Sequence, residues 1–462
     1  MSDALRTGIV RTAVLLATFI LASAHAANTL VPSGTMRYAP TGFPDRIAAL
    51  PAADPARGLT VAWRTDAGVS EPLLQLTEAL DSPDLADHAR DLRAQSTKLE
   101  SENGLAQHHY VRVDGLEPDT LYAYRVQGRD TWSEWIHHRT AAATARPFAF
   151  LYLGDAQNSI KSLYSRVIRE AWRREPRAAL ALYAGDLVNG RGGENDTEWG
   201  EWFDAGGFIQ SSMLVVPAPG NHEHDDVERD GRDHYTLGQH WPRQFPVPAS
   251  GAPGLPHSTY WFDYQDVRFI VLDSTSALKS GTAEVQANWL RGLLADNPNR
   301  WTVVTYHHPV FSVSLDRDNP ELRDHWLPLF ERYDVDLVLQ GHDHVYGRGH
   351  ANTNGRKDEA ASVYVVSVSG PKQYRVSKAA RRTMTRHAEN TQLYQIVRAD
   401  RESLRYESWT VTGELYDAFD LVKTDQGVKR LVERSRSKET RGCPHAQTRS
   451  GRKDRCWDGT EW

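Results

Sequence analysis

Cysteine and methionine are scarce in this 462-residue chain, at 2 and 4 residues. With Cys443 and Cys456 alone there is no CxxC pair, so a cysteine-rich zinc site is excluded. A disulfide between the two is chemically permitted if the chain is exported, and their positions in the sequence do not decide it. No GxSxG elbow is present, and both cysteines sit near the C-terminus, so neither a serine nor a cysteine nucleophile has a signature. An excess of basic charge is also missing. The 54 Lys and Arg against 60 Asp and Glu give a net charge of −6, which argues against a nucleic-acid partner. A small anionic substrate stays open if metal ions supply positive charge locally. Long apolar runs are absent too: the run over 13–22 is shorter than the roughly 20 residues that a spanning helix needs. Arg6 and Arg11 precede it and Ala24-His25-Ala26 follow it, the pattern of a signal peptide over 1–26. The mature protein is therefore expected in the periplasm or secreted, without a membrane span.

What is present describes a folded, globular chain: 40% hydrophobic residues, 25% charged, 14 Trp and 18 Tyr. Its length suggests two domains. From 44 to 140, short alternating runs at 59–64, 109–113 and 121–127 read as a small β-sandwich. After a linker near 140–147 the pattern changes. Apolar runs at 148–153, 180–184 and 213–217 suit buried strands, as do 260–264, 267–273, 301–306, 335–340 and 363–368. Helical periodicity falls at 159–174, 283–295 and 320–333, so the segment 147–422 reads as α/β. The stretch 224–256 reads as a long loop whose histidines, His224, His234 and His240, are solvated. The residues 423–462 read as a basic tail with little structure of its own.

Five short clusters follow these strands: Gly154-Asp155-Ala156-Gln157, Gly185-Asp186-Leu187-Val188-Asn189, Gly220-Asn221-His222-Glu223, His307-His308-Pro309 and Gly341-His342-Asp343-His344. Each alone is as readily a turn. Together they place carboxylate, amide oxygen and imidazole, the ligand types that first-row metals share, at successive strand ends that converge in α/β sheets.

The order GD, GDxxN, GNHE, HxP and GHxH resembles the calcineurin-like metallophosphoesterases, and within them the purple acid phosphatases. The segment 115–135 (GLEPDTLYAYRVQGRDTWSEW) is similar to the fibronectin type III-like domain that precedes their catalytic domain. The resemblance implies an α/β metallophosphoesterase fold, a central β-sandwich flanked by helices in four αββα layers, behind an all-β sandwich. It implies two metal ions, of Fe, Zn or Mn. Asp155 and His344 would hold the first, Asn221, His307 and His342 the second, and Asp186 would bridge them, as carboxylates do in two-metal sites. His222 falls where the family has its catalytic acid, Glu223 would orient its neighbours, and His308 is a candidate for substrate contact.

Two positions depart from the pattern. Purple acid phosphatases carry Tyr at the fourth position of GDxxY, where this chain has Asn189, and many other members carry His in DxH, where it has Gln157. Either amide oxygen, or water, would complete the first metal's shell. The expected activity is hydrolysis of small phosphate monoesters through a metal-bound hydroxide. Two alternatives stay open: a phosphodiesterase with the same site, and a non-catalytic exported binding protein. Oligomeric state is not legible.

Overall fold

Phe148–Leu153, Leu180–Ala184 and Leu214–Ala218 are apolar along their whole length and lie side by side as parallel strands. Strands of this kind need cover on both faces. In the computed structural model, which describes residues 29–32, 34–229, 232–350, 361–435, 441–444, 446, 448 and 451–457, a second sheet covers one face and helices the other. The expected leader, 1–26, lies outside the described residues.

The facing sheet has seven strands, in the order Tyr260–Tyr264, Val267–Val271, Trp301–Thr305, Leu337–Gln340, Val363–Val366, Tyr346–His350 and Arg386–Ala388. Aromatic side chains fill the space between the sheets. Phe150 meets Phe269 edge-on with centroids 5.2 Å apart, and Phe269 stacks on Phe262 at 5.2 Å. Outside the first sheet, helix Ser165–Arg174 buries Val167, Ile168 and Ala171. Outside the second, Leu290, Leu322, Trp326 and Phe330 pack on Ile270, Val304 and Val338. The result is a four-layer αββα fold behind an all-β sandwich, as the resemblance implies.

That sandwich is less separate than a two-domain reading suggests. One of its sheets is Arg90–Arg93, Leu73–Glu78, Leu121–Val126 and Ile136–Arg139. The other, Asp45–Pro51, Leu59–Asp66, Gly104–Val113 and Gln95–Ser101, continues the first large sheet, because Ala49 pairs in parallel with Leu214. Eleven strands run as one sheet. Arg46 and Arg64 from the sandwich close the junction on buried Asp196 of helix Asp196–Gly206.

Three expectations need correction. The helix at 320–333 is two helices, Pro320–His325 and Leu327–Arg332, because Pro328 has no N–H to continue the ladder. The supposed loop 224–256 contains a hairpin, His224–Arg229 with Arg232–Leu237, and a helix, His240–Gln244. His224 and His240 are buried in it rather than solvated. His234's side chain lies outside the described residues. The tail also folds back onto the body. Lys429–Glu433 adds an edge strand to the large sheet, and Arg455–Trp457 pairs with Gln373–Tyr374. Charge rather than an apolar period anchors the first of these: Lys429 pairs with Asp334 at 2.8 Å and Asp336 at 3.3 Å. Cys443 and Cys456 form a disulfide.

Candidate metal centre

Five strands from the two sheets end at one edge, and the cluster after each one turns inward. Asp155 follows Phe148–Leu153, Asp186 follows Leu180–Ala184, and Asn221 and His222 follow Leu214–Ala218. From the facing sheet, His307 follows Trp301–Thr305, and His342 and His344 follow Leu337–Gln340. Four of these residues hold a left-handed backbone, with φ of 53° at Asp155, 52° at Asp186, 70° at His342 and 50° at His344. Such conformations are costly outside glycine and persist where the surroundings enforce them. Glycine is required beside them. A Cβ on Gly185 would sit 2.6 Å from His307 Nδ1, and one on Gly220 would sit 2.2 Å from Asp186 Oδ1.

The side chains form two groups that share one member. Asp186, His307 and His342 offer ligand atoms within 4.8 Å of one another, and so do Asp155, Asp186 and His344. In the first group His307 Nε2 lies 3.1 Å from Asp186 Oδ2, 3.1 Å from His342 Nδ1 and 3.2 Å from Asn221 Oδ1. Its Nδ1 donates to the Ala184 carbonyl at 2.8 Å, which aims Nε2 at the centre. In the second group the Gln157 amide nitrogen donates to Asp186 Oδ2 at 2.8 Å and reaches His344 Nε2 at 3.1 Å. The backbone N–H of His342 donates to both Asp155 oxygens at 2.9 Å, tying the groups together.

Charge balance is incomplete here. Burial pushes the Asp155 carboxyl up to about 8, opposed by His307 and reinforced by Asp186. Burial acts the same way on Asp186, yet His307 and His222 hold it well below the usual carboxylate range. His307 is lowered by burial but raised more by Asp186, reaching about 9. Burial keeps His342 and His344 well below the usual imidazole range. Gln157 Oε1 and His344 Nδ1 are buried without a hydrogen-bond partner. A donor set of this kind, with unpartnered atoms and a carboxyl too basic for its type, fits divalent cations.

The other candidates fall around this core. His222 donates its backbone N–H to Asp186 Oδ1 at 2.9 Å, and its Nε2 lies 3.9 Å from Asp186 Oδ2. Its Nδ1 donates to the carbonyl of Asn189. Asn189 thus meets the site through its backbone, and its side chain joins none of the cluster's hydrogen bonds among the described residues. Glu223 accepts backbone N–H bonds from Gly220, Asp186 and Leu187 at 2.7, 2.9 and 2.8 Å, pinning both turns. His308 lies beyond the strand end, so strand alternation does not point it away. Its ring packs 4.0 Å from that of His342, and its Nδ1 lies 3.0 Å from Ser274 Oγ. His224, beneath, pairs with Asp273 at 3.0 Å.

Sequence reasoning missed one side of the centre. Tyr374 packs its ring 4.8 Å from that of His344, and Lys372 and Arg317 gather there. The available signal was Ser369-Gly370-Pro371-Lys372, a turn closing the buried strand Val363–Val366 at the same sheet edge.

Residues 148–346 match the calcineurin-like phosphoesterase family. That segment is a calcineurin-like phosphoesterase domain. Residues 44–140 match the purple acid phosphatase N-terminal domain. An uncharacterized protein of Mycobacterium tuberculosis is 28% identical over 63% of this chain and 59% of its own length. The Fe(3+)-Zn(2+) purple acid phosphatase 12 of Arabidopsis thaliana is 24% identical over 57% of this chain and 59% of its own. The chain thus spans about three fifths of the length of these relatives. Purple acid phosphatase PPD1 from yellow lupin seeds shares the fold, with a TM-score of 0.68 at 17% identity over 83% of this chain and 75% of that one.

Proposed function

We propose that this chain is an exported, metal-dependent phosphoric ester hydrolase acting on small phosphate monoesters. The observation that carries the reading is the sharing of Asp186 by two ligand groups, since one carboxylate common to both is what a two-metal site needs. Asp155 and His344 would hold one ion, Asn221, His307 and His342 the other, with Asp186 between. The Gln157 amide reaches Asp186 and His344, so a half-turn of that amide would offer its oxygen to the first ion; Asn189 is the weaker candidate. Bound cations supply Lewis acidity and lower the pKa of water. The relative named for Fe(3+) and Zn(2+) supports such a pair, while the missing tyrosine favours divalent Zn, Mn or Fe here.

The chain's own groups do the remaining work. With Nδ1 held by the Asn189 carbonyl, His222 presents Nε2 to the centre. Burial holds its imidazole down to about 4 despite the opposing pull of Asp186. A phosphate dianion beside Nε2 raises that value, so His222 gives its proton to the departing alkoxide most readily on the acid side. His308, against His342, is placed to contact a phosphate oxygen. The disulfide supports export, because such bonds persist in oxidising compartments. No helix among the described residues is long and apolar enough to cross a membrane.

Hydrolysis of p-nitrophenyl phosphate and its bis-aryl diester by protein loaded with Zn, Mn or Fe tests this. Metal-dependent turnover favouring the monoester is expected, with kcat falling about 10²- to 10⁴-fold in His222→Ala. Preference for the diester assigns the phosphodiesterase reading. Two bound ions without turnover of either ester assigns the non-catalytic reading, which Gln157 and Asn189, standing in place of the family's His and Tyr, motivate.

A further inference from the structure

The C-terminal segment builds a basic rim beside the metal centre. Arg455–Trp457 pairs with Gln373–Tyr374, with Tyr374 opposite Arg455, and the Cys443–Cys456 disulfide staples this strand at the adjoining residue. Tyr374 is anchored to the site itself: its N–H donates to the His344 carbonyl at 3.0 Å, and its ring lies 4.8 Å from the His344 ring. Three cations surround that one ring. The guanidinium carbons of Arg317 and Arg455 lie 4.9 Å from its centroid, and Lys372 Nζ lies 5.8 Å away.

Their counter-charges are few. Arg317 has Asp343 at 3.3 Å and donates to the His342 carbonyl. Arg455 has Asp454 at 3.7 Å, a carboxylate that Arg452 also takes at 2.9 Å. Lys372 has neither an ion pair nor a hydrogen bond among the described residues. It is half-buried. Burial lowers its pKa to about 8; Asp186 and Asp155 act to raise it and Arg455 and Arg317 to lower it, which places the ammonium within reach of the metal centre's field. An ammonium partly removed from water and without a partner is costly, and an arriving anion recovers that cost.

We propose that Lys372, Arg455 and Arg317 form a second anion subsite, which selects phosphate monoesters whose leaving group itself carries a carboxylate or a further phosphate. This rests on the hydrolase reading and narrows its substrate class. The reacting phosphoryl group sits among the proposed metal ligands, and the leaving group's own negative charge lies toward Tyr374 on the His344 side. The sequence alone would call the tail solvated. Its fold-back instead delivers Arg455 to the site.

The test compares two esters on nearly one skeleton, glycerol 2-phosphate and 2-phosphoglycerate, which differ by a carboxylate on the leaving group. In the metal-loaded full chain, kcat/KM is expected to favour 2-phosphoglycerate by about tenfold or more, the size of one or two charge-assisted bonds. Lys372→Gln and Arg455→Gln should bring that ratio toward one and leave glycerol 2-phosphate within about twofold. A ratio near one in the wild type, or an equal fall of both esters in the variants, overturns the proposal. Calorimetric binding of the two esters to the same three proteins repeats the comparison without turnover. A chain that hydrolyses neither ester but binds 2-phosphoglycerate more tightly through Lys372 would sink the hydrolase reading and keep the subsite. Equal binding of both esters would sink the subsite.

Discussion

Two of the buried carboxylates among the described residues, Asp196 and Asp155, are balanced in opposite ways. Asp196 sits between Arg46, at 2.6 and 2.9 Å, and Arg64, at 3.0 Å, and accepts from Asn103 at 3.0 Å. Burial raises its carboxyl, but the two guanidiniums hold it far below the usual range. Asp155 is as deeply buried, has no Arg or Lys within ion-pair distance among the described residues, and is pushed up to about 8. A buried charge with its partner built into the chain is an architectural joint, here between the sandwich and the α/β body. One left short of positive charge is a place for a cation that arrives later.

Breaking the metal centre should give the largest effect. Asp186→Asn is expected to lower turnover of p-nitrophenyl phosphate by roughly 10⁴-fold, while thermal unfolding of the metal-free variant stays close to that of the wild type. Breaking the joint should do the reverse. Asp196→Ala leaves Arg46 buried without its carboxylate, while Arg64 keeps Asp45 at 2.6 Å, so urea unfolding should show a loss of about 3 to 5 kcal/mol, with turnover per folded molecule preserved. Adding metal comes next: at about 100 times Kd it should stabilise the wild type by about 2.7 kcal/mol, read as a rise in Tm that is reduced in Asp186→Asn and retained in Asp196→Ala.

The dependence of stability on pH comes last, and the two centres act in opposite directions over separate pH ranges. Asp196, with a depressed folded pKa, contributes stability above the unfolded value near 3.9, and that contribution is lost as pH falls. Asp155, with a raised one, contributes stability below that value, which is lost as pH rises through about 8. Urea midpoints of metal-free protein across this range should fall less steeply with rising pH in Asp155→Asn than in the wild type. Equal slopes would remove Asp155 from the account.

The strands and the clusters after them were legible because both signals are local: an apolar run, then a turn with a ligand-type side chain. Asp155, Asp186, Asn221, His222, His307, His342 and His344 all converge for this reason. What escaped depends on pairing between distant segments. The contact of Ala49 with Leu214 makes one sheet of two modules, and no periodicity in either strand reports it. The tail looked solvated because its anchors are Lys429 on Asp334 and Asp336, and a disulfide, rather than apolar residues. His224 carries no spacing constraint of its own, and only the folded chain brings it to Asp273. Lys372 escaped because a lone lysine after Gly-Pro has many ordinary explanations.

The most direct test is to titrate metal-free protein with Zn(II) or Mn(II) by calorimetry, wild type against Asp186→Asn. Two ions per chain are expected, with proton release and with affinity rising as pH approaches 8 to 9, because Asp155 and His307 must shed protons to bind. The variant should lose at least one of the two. Binding of no ion or a single ion by the wild type, or two ions retained undiminished in Asp186→Asn, would contradict the account.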